Sequence, residues 1–154
     1  MRVIPALVLL LFSLSAWASS PVVIEAKRLE ADNKKGWVLF VGDVVAVRDR
    51  MKITCDRMRV FTKKGKIQRI VATGHVRVRV GERIVTSEKA TYYADEDKVV
   101  FEGSPQVWQG GNMVSGDVIV YYLKDDRTVV ETKGGGKVKA VILPKEAGGG
   151  AGGK

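Results

Sequence analysis

The sequence predicts an all-β protein built as a curled antiparallel sheet, a sandwich or a jelly roll. Three observations carry that prediction: valines alternating strictly with polar residues, polar turn clusters at regular intervals, and an internal repeat of about 30 residues. The alternation is plainest in Gly74-His75-Val76-Arg77-Val78-Arg79-Val80, the pattern of a strand with one buried face. Gly42-Asp43-Val44-Val45-Ala46-Val47-Arg48 and Gly103-Ser104-Pro105-Gln106-Val107-Trp108-Gln109 share its layout.

In chain order, Met1–Ala18 has one charge (Arg2), an apolar run from Val3 to Leu14, and Ala16-Trp17-Ala18, which fits the small-x-small rule for leader cleavage. The run is shorter than the roughly 20 residues of a spanning helix, so residues 1–18 read as a cleaved export signal. Residues 19–144 then form one domain, and the Gly-rich tail 145–154 has too few side chains to pack and is expected to be disordered.

The repeat is fixed by Ile24-Glu25-Ala26-Lys27, Ile53-Thr54-Cys55-Asp56, Val85-Thr86-Ser87-Glu88 and Val114-Ser115-Gly116-Asp117, whose starts lie 29, 32 and 29 residues apart. Twelve residues after each start stands Gly36, Gly65, Asp97 or Asp126, inside polar clusters that read as hairpin turns. The three extra residues of the second repeat fall between Gly65 and Gly74, as a longer hairpin or a bulge would require. Apolar or small groups sit at i, i+2, i+5 and i+7 from each start, for example Ile53, Cys55, Met58 and Val60. That slip of one predicts a bulge or sharp bend returning both halves to the core side, with about four short strands per repeat. The i+2 slot holds Ala26, Cys55, Ser87 and Gly116, all small, so Cys55 reads as a buried spacer at a crowded bend rather than a reactive thiol.

Little here supports catalysis, and the chain reads as a non-enzyme. His75 is the one histidine and follows a repeat glycine where the sister positions hold Asp43 and Ser104, so it reads as an exposed turn residue. The acids at Asp95–Asp97 and Asp125-Asp126 read as solvated hairpin tips, and Gly134-Gly135-Gly136 lacks the helix and Lys-Ser/Thr pair of a phosphate loop. No cofactor and no metal are implied. The formal charge of +9 admits anionic lipid, phosphorylated glycolipid or acidic proteins as partners, but the basic residues are spread along the chain and the aromatics scattered singly, so nucleic acid is not expected.

What remains is the inward face, which a curled sheet either packs shut or leaves open for an apolar ligand. The candidate lining is Val22, Ile24, Ala46, Ile53, Val76, Val78, Val85, Tyr92, Val107, Val114 and Ile119. Val76 and Val78 read as one rung of this inner wall, with Arg77 and Arg79 outside.

The chain resembles the LptA/OstA-like family of lipopolysaccharide export proteins. The resemblance covers Pro21–Pro144 and rests on the leader, the opening Pro21-Val22-Val23-Ile24-Glu25-Ala26, the Gly-x-Val stretches and Thr54-Cys55-Asp56-Arg57-Met58. Ser87-Glu88-Lys89-Ala90-Thr91-Tyr92-Tyr93 and the ending Lys137-Val138-Lys139-Ala140-Val141-Ile142-Leu143-Pro144 complete it. It implies a curled antiparallel β-jelly roll in the periplasm, whose groove holds the lipid A acyl chains of lipopolysaccharide. It also implies edge-to-edge stacking: an inner-membrane LptC-like protein at the N-terminal edge (Val23, Glu25), an outer-membrane LptD-like translocon at the C-terminal edge (Val138, Ala140, Ile142), and head-to-tail copies forming a homo-oligomer. The positive charge and the glycine tail depart from the family. The rival readings are a structural β-repeat protein with a closed core and a membrane-anchored LptC-like sibling.

Overall fold

The computed structural model describes residues 21–144; the expected leader at 1–18 and the Gly-rich segment 145–154 lie outside the described residues. Each polar cluster closes a hairpin, with positive φ at Gly36, Gly65, Asp97 and Asp126, the four residues at equivalent repeat positions. The twelve strands so connected form one antiparallel sheet, and the described residues contain no helix. They are β1 (Val23–Glu25), β2 (Arg28–Asp32), β3 (Trp37–Arg48), β4 (Met51–Lys63), β5 (Lys66–Val80), β6 (Arg83–Tyr93), β7 (Lys98–Glu102), β8 (Gln106–Gln109), β9 (Asn112–Ser115), β10 (Val118–Tyr122), β11 (Arg127–Glu131) and β12 (Lys139–Val141).

The expectation of about four short strands per repeat is corrected. β3 to β6 are long strands that each run through the bend, so the predicted pieces are half-strands joined in pairs. Gly42 and Gly74 accordingly lie in the middle of strands and not at their starts, while Gly103 lies in the break between β7 and β8. The first two each mark a register shift, between Val41 and Val44 in β3 and between Thr73 and Val76 in β5. The crease divides the sheet into two leaves. The first runs β1, β3, β4, β5, β6, β8, β9, β12 and the second β2, β3, β4, β5, β6, β7, β10, β11. The edges are therefore β1 and β2 at one end and β11 and β12 at the other.

The crease has a repeated chemistry. Gly42, Gly74 and Gly103 take φ of +91°, +80° and +81°, and the residues after them, Asp43, His75 and Ser104, are also left-handed at 44°, 49° and 51°. The i+3 side chain of the neighbouring strand lies against each bare glycine: a Cβ on Gly42 would come within 3.0 Å of Lys27 Cβ, and one on Gly74 within 2.8 Å of Asp56 Cβ. Glu88 covers Gly103 in the same way. Lys27 Nζ then reaches Asp43 at 3.1 Å, His75 Nδ1 reaches Asp56 Oδ2 at 2.8 Å, and Lys133 N donates to Asp117 Oδ2 at 2.7 Å. Backbone bonds from Lys27 N to Gly42 O and from Glu88 N to Gly103 O, each 3.0 Å, stitch the same line. Asp56 holds the exposed His75 imidazole above its ordinary pKa, mainly through this hydrogen bond.

Beneath the crease the leaves meet in a sealed row. Val44 pairs with Cys55 and Val76 with Ser87, and all four are buried, Val44 and Val76 to 1% exposure. Ser87 Oγ donates to Lys89 O at 3.0 Å, and Cys55 Sγ makes the equivalent bond to Arg57 O at 3.4 Å. These two small residues of the i+2 slot thus each bond a backbone carbonyl at the crease. Burial pushes the Cys55 thiol up to about 11, which matches its reading as a spacer.

Gly74→Ala combines left-handed strain with a clash that Gly65→Ala avoids, because nothing lies within 4 Å of a Cβ at Gly65. Urea denaturation should show a loss of about 2 kcal/mol or more for Gly74→Ala against about 1 kcal/mol for Gly65→Ala. Equal losses would remove the crease from the account of stability.

Candidate functional site

The inward residues line up in rows across each leaf, because the pairing register is continuous from edge to edge. On the first leaf one row reads Ile24, Ala46, Ile53, Val78, Val85, Val107, Val114 and Ala140, each directly opposite the next. The second leaf contributes two. Phe40, Met58, Ala72, Ala90, Phe101 and Ile119 run nearer the crease, and Val38, Val60, Ile70, Tyr92, Val99 and Tyr121 farther from it. Strand alternation turns these residues to one side, and the crease turns the two sides toward each other.

Near the crease the rows interlock; farther out they separate and enclose an apolar groove of about 580 Å³. Nine of the eleven residues expected to line it do so: Val22, Ile24, Ala46, Ile53, Val78, Val85, Tyr92, Val107 and Ile119. The other two, Val76 and Val114, are not part of the lining. Val76 sits in the sealed row under the crease and so is not on the same rung as Val78, while Val114 continues the row beyond the groove toward β12. His75 lies on the outer side of the crease, with its side chain 91% exposed and away from the groove.

Sequence reasoning passed over much of the second wall and all of the rim. Met58, Ala90 and Ile119 share the i+5 slot, and Tyr92 and Tyr121 the i+7 slot, so extending the repeat offsets uniformly would have found Met58, Ala90 and Tyr121 as well. Phe101, Ile70 and Val99 lie on the return strands, outside those offsets. At the rim, the β3–β4 turn brings Arg48, Asp49 and Arg50 to the mouth and β6 brings Arg83, facing Asp97, Leu123 and Thr128 of the second leaf. Turn composition alone could not say which tips face each other.

One contact spans the mouth. Asp126 Oδ1 accepts from Tyr121 Oη at 2.7 Å and from Arg83 Nη1 at 3.4 Å, and the Arg83 guanidinium lies 5.6 Å from the Tyr121 ring centre. Arg83 belongs to the first leaf and the other two to the second, so this triad ties the leaves together at one side of the opening. The Asp126 carboxyl is held below the ordinary carboxylate range, first by the tyrosine hydroxyl and then by Arg83. Tyr121 is pushed up, mainly by its hydrogen bond to Asp126. Tyr92 is also raised, by burial first and then by its 3.1 Å bond to Asp97. Among the described residues no His, Cys, Asp and Glu cluster could hold a metal ion.

The expected edges are distributed unevenly. Val23 and Glu25 lie in β1, which among the described residues pairs with β3 alone and has no partner on its other side. Among the described residues β12 pairs with β9 alone; it contains Ala140, while Val138 and Ile142 fall just outside it as exposed flanks.

Residues 23–127 match the family described as LptA/(LptD N-terminal domain) LPS transport protein. No curated protein matches the sequence. Among solved structures the fold is similar to LptH of Pseudomonas aeruginosa, described as the LptA homologous periplasmic component of the lipopolysaccharide transport device. The identity is 21% over 81% of this chain and 96% of that one, with a TM-score of 0.74.

Asp126→Asn removes the anion that holds the Tyr121 proton. Ultraviolet titration of the phenolate should place Tyr121 ionisation at lower pH in Asp126→Asn than in the parent protein, with Tyr92 unmoved. An unchanged Tyr121 titration would mean that the triad does not persist in solution.

Proposed function

Since the chain belongs to the LptA and LptD N-terminal-domain family of lipopolysaccharide transport proteins, we propose that its groove shields the acyl chains of lipid A during passage through the periplasm. The observation that carries this reading is the apolar groove itself, continuous across both leaves and open at the mouth. A dozen methylenes moved from water into such a lining gain on the order of 10 kcal/mol of gross transfer free energy. Shielding is non-directional apolar contact, so a transport wall made of Val, Ile, Ala and Met binds a chain without fixing its position along the groove. The same property lets cargo advance.

The open edges support the second half of the reading. β1 and β12 lie at opposite ends of the first leaf, and among the described residues each has an unpaired side. Strand addition at β1 would join an inner-membrane LptC-like protein, and addition at β12 an outer-membrane LptD-like translocon; copies stacked head to tail would bring one groove into line with the next. Exposed apolar residues flank both edges, with Val22 and Val23 at 48% and 55% and Ile142 and Leu143 at 72% and 63%. Covering these residues would add apolar burial to the backbone pairing.

The test contrasts adjacent residues on opposite faces of one strand. Val78 is 8% exposed and lines the groove, whereas Arg77 is exposed on the outer face. A photo-crosslinking residue at Val78 should capture lipopolysaccharide in the periplasm, and one at Arg77 should not. Equal capture at both positions would sink the groove reading.

A further inference from the structure

The three-residue insertion in the second repeat plays no part in the groove. It lengthens the β4–β5 hairpin: Phe61 pairs laterally with Trp37 and Arg69 with Tyr93, while Thr62, Lys63 and Lys66–Gln68 run on past those neighbours. A bulge at Gln68 takes up the odd residue. The projecting tip is fixed to the neighbouring turn, because Thr62 N donates to Gly36 O at 2.8 Å and Thr62 Oγ1 reaches the same oxygen at 3.4 Å. Gly36 must be glycine there, since a Cβ would meet Thr62 O at 2.7 Å with φ at +75°. Two hairpin tips thus become one platform.

Its composition is one-sided. Lys34 and Lys35 stand on one tip and Lys63, Lys64 and Lys66 on the other, all exposed, and none forms an ion pair among the described residues. The nearest carboxylate on these tips, Asp32, is engaged by Lys35 N at 2.9 Å as a turn cap. Behind the lysines the outer face presents Trp37 under the Arg59 guanidinium at 4.9 Å and Phe61 under that of Arg69 at 4.3 Å. Ile67 projects at the tip, 44% exposed. The next turn toward β7 is the reverse, carrying Asp95, Glu96 and Asp97, and the β10–β11 turn is mixed, with Lys124 beside Asp125 and Asp126, so the lysine-only tips are the two nearest β2.

We infer that the fused tips 33–36 and 62–67 are a docking surface for an anionic phospholipid bilayer. The chemistry of such a surface is what this platform complements. Unpaired lysines are drawn to the negative potential of the headgroups; tryptophan, phenylalanine and arginine sit at headgroup depth; and one aliphatic side chain is presented for shallow insertion. The platform lies outside the groove and shares no residue with its lining.

The experiment is vesicle co-sedimentation of the exported protein with phosphatidylglycerol/phosphatidylcholine vesicles and with phosphatidylcholine alone. Two fourfold variants are compared. One is Lys34→Gln, Lys35→Gln, Lys63→Gln and Lys64→Gln; the other removes as many charges from the outer face of the first leaf, at Lys52, Arg77, Arg79 and Lys139. The parent protein should bind the anionic vesicles only, and weaken with salt as screening predicts. The tip variant should lose about 100-fold or more in affinity, since each lysine near such a surface is worth roughly fivefold, and the control variant much less. Ile67→Ser, which leaves all charges in place, should weaken binding several-fold. Failure of the parent to bind, equal loss in both fourfold variants, or a tip variant that binds as the parent does would each overturn the proposal. A tip variant that changes self-association and leaves vesicle binding intact would assign the platform to a second copy, and would equally overturn it. None of these outcomes bears on capture at Val78, so the groove reading stands or falls separately.

Discussion

At each crease a glycine with positive φ leaves bare backbone, and a charged side chain from the next strand lies across it. This contact is where every other feature of the molecule begins. The left-handed pair adds one residue to β3 and to β5 opposite the shorter passage of β4 and β6. Phe40 and Val44, and Ala72 and Val76, four residues apart, therefore stand opposite Met58 and Cys55, and Ala90 and Ser87, three apart, and both halves keep their apolar groups on the core side. Repetition at the same height in successive strands makes the crease a straight line, and a straight crease makes two leaves that can face one another.

From that line outward, side-chain size sets the separation of the leaves. The row under the crease is small and sealed, with Val44, Cys55, Val76 and Ser87 leaving no space between the leaves. Farther out the walls stay apolar but stand apart, and at the mouth the leaves are bridged on one side by Arg83, Asp126 and Tyr121. Those polar groups satisfy one another at the rim of the lining. An open apolar lining is costly in water, and it persists because the sealed row and the continuous pairing hold both walls in place. That arrangement suits a site whose occupant arrives and leaves.

Charge and apolar surface are kept on separate parts of the molecule. The groove wall carries its polar residues only at the rim. The lysines of the 33–36 and 62–67 tips are not part of that lining.

Much of this could be read from the chain itself. Alternation, turn clusters and the 29, 32 and 29 spacing determined an all-β repeat protein with a bend in each repeat, because strand parity and turn chemistry are local properties. The inner row was legible for the same reason: Ile24, Ala46, Ile53, Val78, Val85 and Val107 could be picked out by parity alone. Local pattern could not say that the half-strands were continuous through the bend, since a residue after a positive-φ glycine looks like a strand start. Nor could it separate Val76 from Val78. Both have inward parity, and only their distance from the crease decides that one is sealed and the other lines the groove. The rim pairing of Arg83 with Asp126 and the fusion of two lysine tips through Thr62 and Gly36 join residues 43 and 26 positions apart. Such contacts depend on how the leaves fold over and how hairpins sit side by side, which no single segment encodes.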